Sequence, residues 1–269
     1  MNLELGLCIV LLFGLAHASE SQPRIIKGTK VSIEDFPYIV SLRNNNQHSC
    51  GGSILSENWI MTAAHCVKYA EISKLSIQAG RTKVSKRVDL SVYGVKQVIL
   101  HPQYDEKNSW QNDIALLKLT EPLQLSDSVR PVRLPAVCYE VTGPDLNAVV
   151  VGWGVTRRGV LSKNLQKLIY LIVPHHECFE QHNNFPIYRT QICAADPTYR
   201  RAECNGDSGG PLMYQGVQVG IISWSEKPCT VARFPGVMTK VSHYIRFIYM
   251  HTDVELEDDN FHQCTGEGK

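Results

Sequence analysis

The chain has 269 residues, 43% of them hydrophobic and 20% charged, with a formal net charge of +1. That length is enough for a sizeable core, and all-β chains of this size often form one domain from two halves. The near-neutral balance, with no basic stripe, argues against a nucleic-acid binder.

The chain opens MNLELGLCIVLLFGLAHAS, an apolar run from Leu5 to Leu15 followed by the small-x-small pattern Ala16-His17-Ala18. The run is too short to span a bilayer, and no later stretch is long and apolar enough to do so. Residues 1–18 therefore read as a signal peptide, against the alternative of an uncleaved N-terminal anchor. The n-region departs from the usual pattern, carrying Glu4 and no Lys or Arg. The expected localisation is secreted and extracellular, with no membrane partner.

Residues 19–24 (SESQPR) form a short polar segment ending on Arg24, and the folded body is expected from Ile25. From there, short apolar or alternating runs predict strands at 38–42, 52–55, 75–79, 97–100, 114–119, 148–152, 168–173 and 219–223. Gly, Pro, Asn and Asp lie between them, so the fold class is an all-β barrel or sandwich. Tyr244, Ile245, Phe247 and Ile248 give residues 242–251 the spacing of a terminal helix. Residues 252–269 follow as a polar, acidic tail.

Cys8 leaves with the signal, so Cys50, Cys66, Cys138, Cys178, Cys193, Cys204, Cys229 and Cys264 remain. An even set in an exported chain fits four disulfides, and the count alone allows 105 pairings. No CxxC pair occurs, which argues against a zinc knuckle.

The chemistry centres on RAECNGDSGGP, residues 201–211. A serine hydroxyl becomes a nucleophile only with a base to take its proton and a third group to orient that base. Gly206, Gly209 and Gly210 around Ser208 allow close backbone approach. The same letters spell G-x-S-x-G, the nucleophile elbow of α/β-hydrolases, but no strong helical segment follows Ser208 until residue 242. His65, in TAAHC, is the candidate base. Asp113, in NDIALL, opens an apolar strand and would be drawn inward, where His65 could partner it.

TAAHC, NDIALL and GDSGGP, in that order, resemble the chymotrypsin/trypsin family of serine proteases. Gly152-Trp153-Gly154 and Ser223-Trp224 strengthen the likeness, which runs from Ile25 to about Met250. The resemblance implies two six-stranded antiparallel β-barrels with a C-terminal α-helix, the domain covering 25–251. It implies His65 as general base, Asp113 as its orienting acid and Ser208 as nucleophile. The N–H groups of Gly206 and Ser208 would form the oxyanion hole. It also implies a zymogen cut after Arg24, whose new Ile25 amine pairs with a buried Asp207. Lys27 departs from the glycine most common there and reads as a solvated side chain.

By the same resemblance Cys50–Cys66, Cys178–Cys193 and Cys204–Cys229 pair. The usual partner position for Cys138 holds Ser242, so Cys264 is expected to take that place. Two free or intermolecular thiols are the alternative.

For specificity, the family register puts Ala202 at the floor of the pocket where trypsins carry an aspartate. Glu203 follows it, with Ser223, Trp224, Ser225 and Gly236 along the walls; Ser225 and Pro228 replace usual glycines. Glu203 either points inward to accept Arg or Lys, or turns to solvent or to Arg201 or Arg233 and leaves an apolar-floored pocket for Leu, Phe or smaller chains. The Gly80–Arg87 stretch, matching a calcium loop of some relatives, is basic, so no metal and no cofactor is expected. Expected partners are protein or peptide substrates, an activating trypsin-like protease and protein protease inhibitors, with the enzyme a monomer. A catalytically silent homologue acting as a binding protein is the rival function; it would usually lack a triad member.

Overall fold

The computed structural model describes residues 28–255, apart from 90, 143–145, 157–158, 184, 199–201, 227–228 and 230–232. The signal, the Arg24–Ile25 junction, Lys27, Arg201, Pro228 and Cys264 lie outside the described residues.

In chain order the strands of the first half are β1 (Thr29–Lys30), β2 (Ile39–Asn44), β3 (Gln47–Ile54), β4 (Trp59–Thr62), β5 (Leu75–Gln78), β6 (Val92–Leu100) and β7 (Ala115–Leu119). Those of the second half are β8 (Asn147–Gly152), β9 (Gln166–Val173), β10 (Gln191–Ala195), β11 (Pro211–Tyr214), β12 (Val217–Trp224) and β13 (Gly236–Lys240). Two helices, α1 (His175–Gln181) and α2 (Ile245–His251), complete the set, with short 3-10 turns between elements.

β2-β3-β4-β7-β6-β5 close into one barrel. β8-β9-β10-β13-β12-β11 close into a second, because β8 pairs with both β9 and β11; β1 pairs with the first two residues of β9. Every strand pairing is antiparallel. The two six-stranded barrels and the terminal helix are the expected architecture. Closure removes the exposed sheet edges that would otherwise invite aggregation.

Local chemistry explains the turns. Asn45 and Asn46, both at positive φ (49° and 59°), join β2 to β3, and asparagine tolerates that region better than most residues. In β9, Leu168, Tyr170 and Ile172 point into the second barrel while Ile169 and Leu171 face outward. The first barrel is filled by Val40, Leu42, Ile54, Ile60, Ile77 and Leu117. The second is filled by Val150, Leu168, Tyr170, Ile192, Leu212 and Met238.

The terminal helix starts later than expected. Val241–His243 form a 3-10 turn, and the α-helix begins at Ile245. Ile245 and Ile248 pack with Met61, Leu116 and Ile221 into a cluster that draws on both barrels. Asp253, just past the helix, accepts from Ser56 Oγ (2.5 Å) and Asn58 Nδ2 (2.8 Å) in the first barrel.

Arg81, Lys83, Lys86 and Arg87 are exposed, as a solvated loop requires. The loop is pinned from beneath by Arg43 of β2, which is 0% exposed. Its Nη2 donates to the carbonyls of Asn46 and Lys86, each at 3.1 Å.

Candidate active site

Asn112, at φ 57°, turns the chain just before β7 and aims Asp113 inward. Asp113 is 0% exposed. Its Oδ2 accepts from His65 Nδ1 (2.7 Å) and Ser223 Oγ (2.6 Å), and its Oδ1 accepts from the His65 backbone N–H (2.9 Å). Thr239 Oγ1 donates to its main-chain carbonyl at 2.8 Å. Three donors thus converge on the two carboxyl oxygens, and a fourth holds the backbone of the acid. The pattern assigns the proton of His65 to Nδ1 and leaves Nε2 to act as a base.

His65 sits on the 3-10 turn after β4, and the Cys50–Cys66 disulfide (Cα–Cα 6.3 Å) fixes the adjacent backbone to β3. Ser208 comes from the second barrel and lines the same cleft of about 320 Å³ as His65. Among the described residues no hydrogen bond joins Ser208 Oγ to His65 Nε2. Such bonds commonly tighten only when substrate is bound. Gly51 N–H donates to the Ser208 carbonyl at 2.8 Å, and a Cβ at Gly209 (φ 77°) would collide with Thr62 Oγ1 and the Gly51 carbonyl. The Ser208 loop is thus seated directly on the first barrel.

Gly206 has φ 96°, a conformation that favours glycine. Its carbonyl accepts from His48 Nε2 at 2.9 Å, and His48 Nδ1 lies 2.7 Å from Ser41 Oγ. Since a carbonyl can only accept, Nε2 carries the proton and Nδ1 takes that of Ser41. Burial pushes the His48 pKa down to about 4, so the ring is neutral here. Asp207 is buried. Its Oδ1 accepts from Gly154 N–H (2.7 Å) and its Oδ2 from Cys204 N–H (3.0 Å), while side chains at Gly152 or Gly154 would overlap its carboxylate.

The chain matches the Trypsin family model over residues 25–248. It belongs to the trypsin family. It is 36% identical over 235 residues to a trypsin of Phaedon cochleariae, covering 86% of this chain and 89% of that protein. It is 33% identical over 246 residues to venom serine protease 34 of Apis mellifera (85% and 58%). It is 30% identical over 247 residues to ovochymase of Halocynthia roretzi (88% and 16%). The enzyme is a serine endopeptidase, a hydrolase acting on protein substrates.

Besides His65 and Ser208, the protease cleft is lined by Trp110, by residues 203–205 (Glu203, Cys204, Asn205) and by residues 222–225 (Ile222, Ser223, Trp224, Ser225). Ala202 is buried behind it against Cys204 and Cys229, which form a disulfide. Glu203 is 5% exposed and does not turn to solvent. Gly236 lies against the Glu203 carboxylate. Cys178 and Cys193 are bonded to each other. Cys138 is disulfide-bonded, and its expected partner Cys264 lies outside the described residues. The one close group of metal-ligating residue types among the described residues is Cys50, His65 and Cys66, whose two sulfurs are already joined.

Three neighbours of the site escaped the sequence reading. His48 reads as one more histidine in a polar stretch, and only the register of β2 on β3 puts Ser41 beside it. Trp110 stands at φ 49° with its ring 5.8 Å from that of Trp224. The Ser109 carbonyl accepts from Trp224 Nε1 (3.1 Å) and Gln191 Nε2 (2.7 Å), which locks this corner of the cleft. Tyr170 looks like an ordinary inward strand residue, and nothing in the sequence places it 33 positions away against Glu203.

Proposed function

We propose that this protease hydrolyses peptide bonds through Ser208, His65 and Asp113 by way of an acyl-enzyme. His65 Nε2 takes the Ser208 proton as Oγ attacks the scissile carbonyl, and Asp113 steadies the resulting imidazolium. His65 then returns the proton to the leaving amine, and water repeats the sequence to free the acid. The backbone N–H groups of Gly206 and Ser208 face the developing oxyanion. The observation that carries this reading is the buried Asp113, which holds His65 by both its backbone and its Nδ1 in a cleft that also contains Ser208.

The precursor is read as a secreted zymogen: residues 1–18 signal, 19–24 propeptide, 25–251 protease domain and 252–269 acidic tail. A trypsin-like protease cuts after Arg24, and the Ile25 amine pairs with Asp207, whose buried carboxylate supports the N–H of Cys204 beside the oxyanion loop. Cys264 ties the tail to Cys138. The product is a monomer open to protein inhibitors.

The test is fluorophosphonate labelling of the chain before and after cleavage at Arg24, with a peptide digest alongside. Labelling of Ser208 that rises on cleavage, is lost in Ser208→Ala and is accompanied by peptide cuts is expected. A cleaved chain that neither labels nor cuts would instead be a silent binding protein. Non-reducing peptide mapping lacking a Cys138–Cys264 peptide would end the tail assignment.

A further inference from the structure

Tyr170 stands in the core of the second barrel, yet its hydroxyl leaves that core to meet Glu203. The contact has two parts. The hydroxyl donates its proton to Glu203 Oε2, and its oxygen accepts from the Glu203 backbone N–H at 2.7 Å. A hydroxyl has one proton, so this arrangement commits it to the carboxylate. Burial first, and then the neighbouring Glu203 charge, push the Tyr170 pKa well above its ordinary value, so the proton stays in place at any working pH.

The other side of the carboxylate rests on Gly236. A Cβ there would fall inside the contact radius of Glu203 Oε1 and 3.0 Å from Cδ. Only a residue without a side chain leaves room for this placement. Glu203 is thereby held between Tyr170 and Gly236 while lining the cleft that contains His65 and Ser208. The cleft around it mixes the apolar side chains of Ile222 and Trp224 with the small polar ones of Ser223, Ser225 and Asn205, and Ala202 packs on the Cys204–Cys229 disulfide nearby. Such a cavity matches a long aliphatic stem with a charged tip. A neutral ring or branched chain would instead press apolar surface against a carboxylate, which is costly.

We propose that Glu203, positioned by Tyr170 and Gly236, is the anion that selects the residue before the cut, so that the enzyme cleaves after Lys and Arg without an acid at Ala202. The inference rests on the peptidase reading of the cleft, which supplies the peptide. Glu203 contacts the substrate side chain; Tyr170 is a positioning residue.

The test uses the full chain cleaved after Arg24, with two independent readouts. One is the affinity for p-aminobenzamidine, an aromatic amidine that needs no turnover. The other is kcat and KM on peptides differing only in the residue before the cut. Amidine binding and cuts after Lys and Arg are expected, both weakened at least about 100-fold in Glu203→Gln. The double variant Glu203→Ala with Ala202→Asp is expected to recover at least about tenfold of that loss, since it returns a carboxylate to the same cavity. Tyr170→Phe is expected to raise KM for Lys and Arg peptides while the rate of Ser208 labelling by a neutral fluorophosphonate holds. A merely structural role would slow that labelling as well. Amidine affinity unchanged in Glu203→Gln, or a wild-type preference for Leu, Phe or Tyr, would overturn the proposal. Amidine binding that depends on Glu203 in a chain that cuts no peptide would sink the peptidase reading and leave the pocket assignment standing.

Discussion

His48, on the first barrel, donates from Nε2 to the carbonyl of Gly206, on the second, at 2.9 Å. That bond fixes the peptide following Gly206, and with it the direction in which neighbouring N–H groups point. Removing the ring in His48→Ala frees the loop while leaving His65 and Asp113 untouched. The expected outcome is a fall in kcat of about 10- to 100-fold, below the roughly 100- to 1000-fold cost of losing an oxyanion donor outright. Steady-state kinetics on one peptide substrate checks it.

The same ring sets a pH dependence of stability. The His48 pKa is pushed from 6.5 down to about 4 by burial. Between those values the unfolded chain binds a proton that the folded chain refuses, so this group's contribution falls as pH drops through that window and is level above 6.5. Urea unfolding at pH 7 and pH 5 should differ by roughly 2 kcal/mol more in the wild type than in His48→Gln.

Asp113→Asn keeps the shape of the acid but removes its charge. The Nδ1–H of His65 then faces a side chain able to donate, and the wrong tautomer becomes available. A loss in kcat on the order of 10⁴ is expected, the figure typical of this triad in its family. Circular dichroism should be unchanged, and Ser208 labelling should slow in parallel with kcat.

Much of the fold was legible because its strands are short apolar runs set between Gly, Pro, Asn and Asp. β9 could be read from its apolar run LIYLIV, although only its burial alternates. Five other strands were not seen, the two-residue β1 among them. β4, β10 and β11 are buried on both faces, so their sequences carry no alternation, and the short β13 lies among them against β10 and β12. The triad could be read because each member sits in a distinctive local sequence. His48 and Tyr170 could not, since each gains its role from a partner 158 or 33 positions away.

Gly154→Ala would place a methyl group where the Asp207 carboxylate now lies. The acid would have to move out of a buried site that supplies the Gly154 and Cys204 N–H donors. Overpacking and the loss of buried hydrogen bonds each cost about 1–3 kcal/mol. A lower Tm together with loss of Ser208 labelling is the expected outcome, read by thermal unfolding and gel fluorescence.

Arg43→Met keeps the stem that fills β2 and removes the donor beneath the 80–89 loop. The Asn46 and Lys86 carbonyls belong to exposed residues and can turn to water, so Tm should move little. The loop itself should loosen. Limited digestion with trypsin is expected to cut between residues 81 and 87 several-fold faster than in the wild type, because local opening governs such cleavage.

The seating of Ser208 on Gly51, and of Gly209 against Thr62, makes the reaction centre a joint between two closed barrels. Neither half contains a working site. Each barrel could keep its own hydrogen-bonded ladder while the joint slips by an ångström, and the chemistry would already be gone. Under mild denaturant, turnover should therefore disappear before the β-sheet signal does. Activity in this protein is a gauge of how the two barrels are docked more than of whether either one is folded.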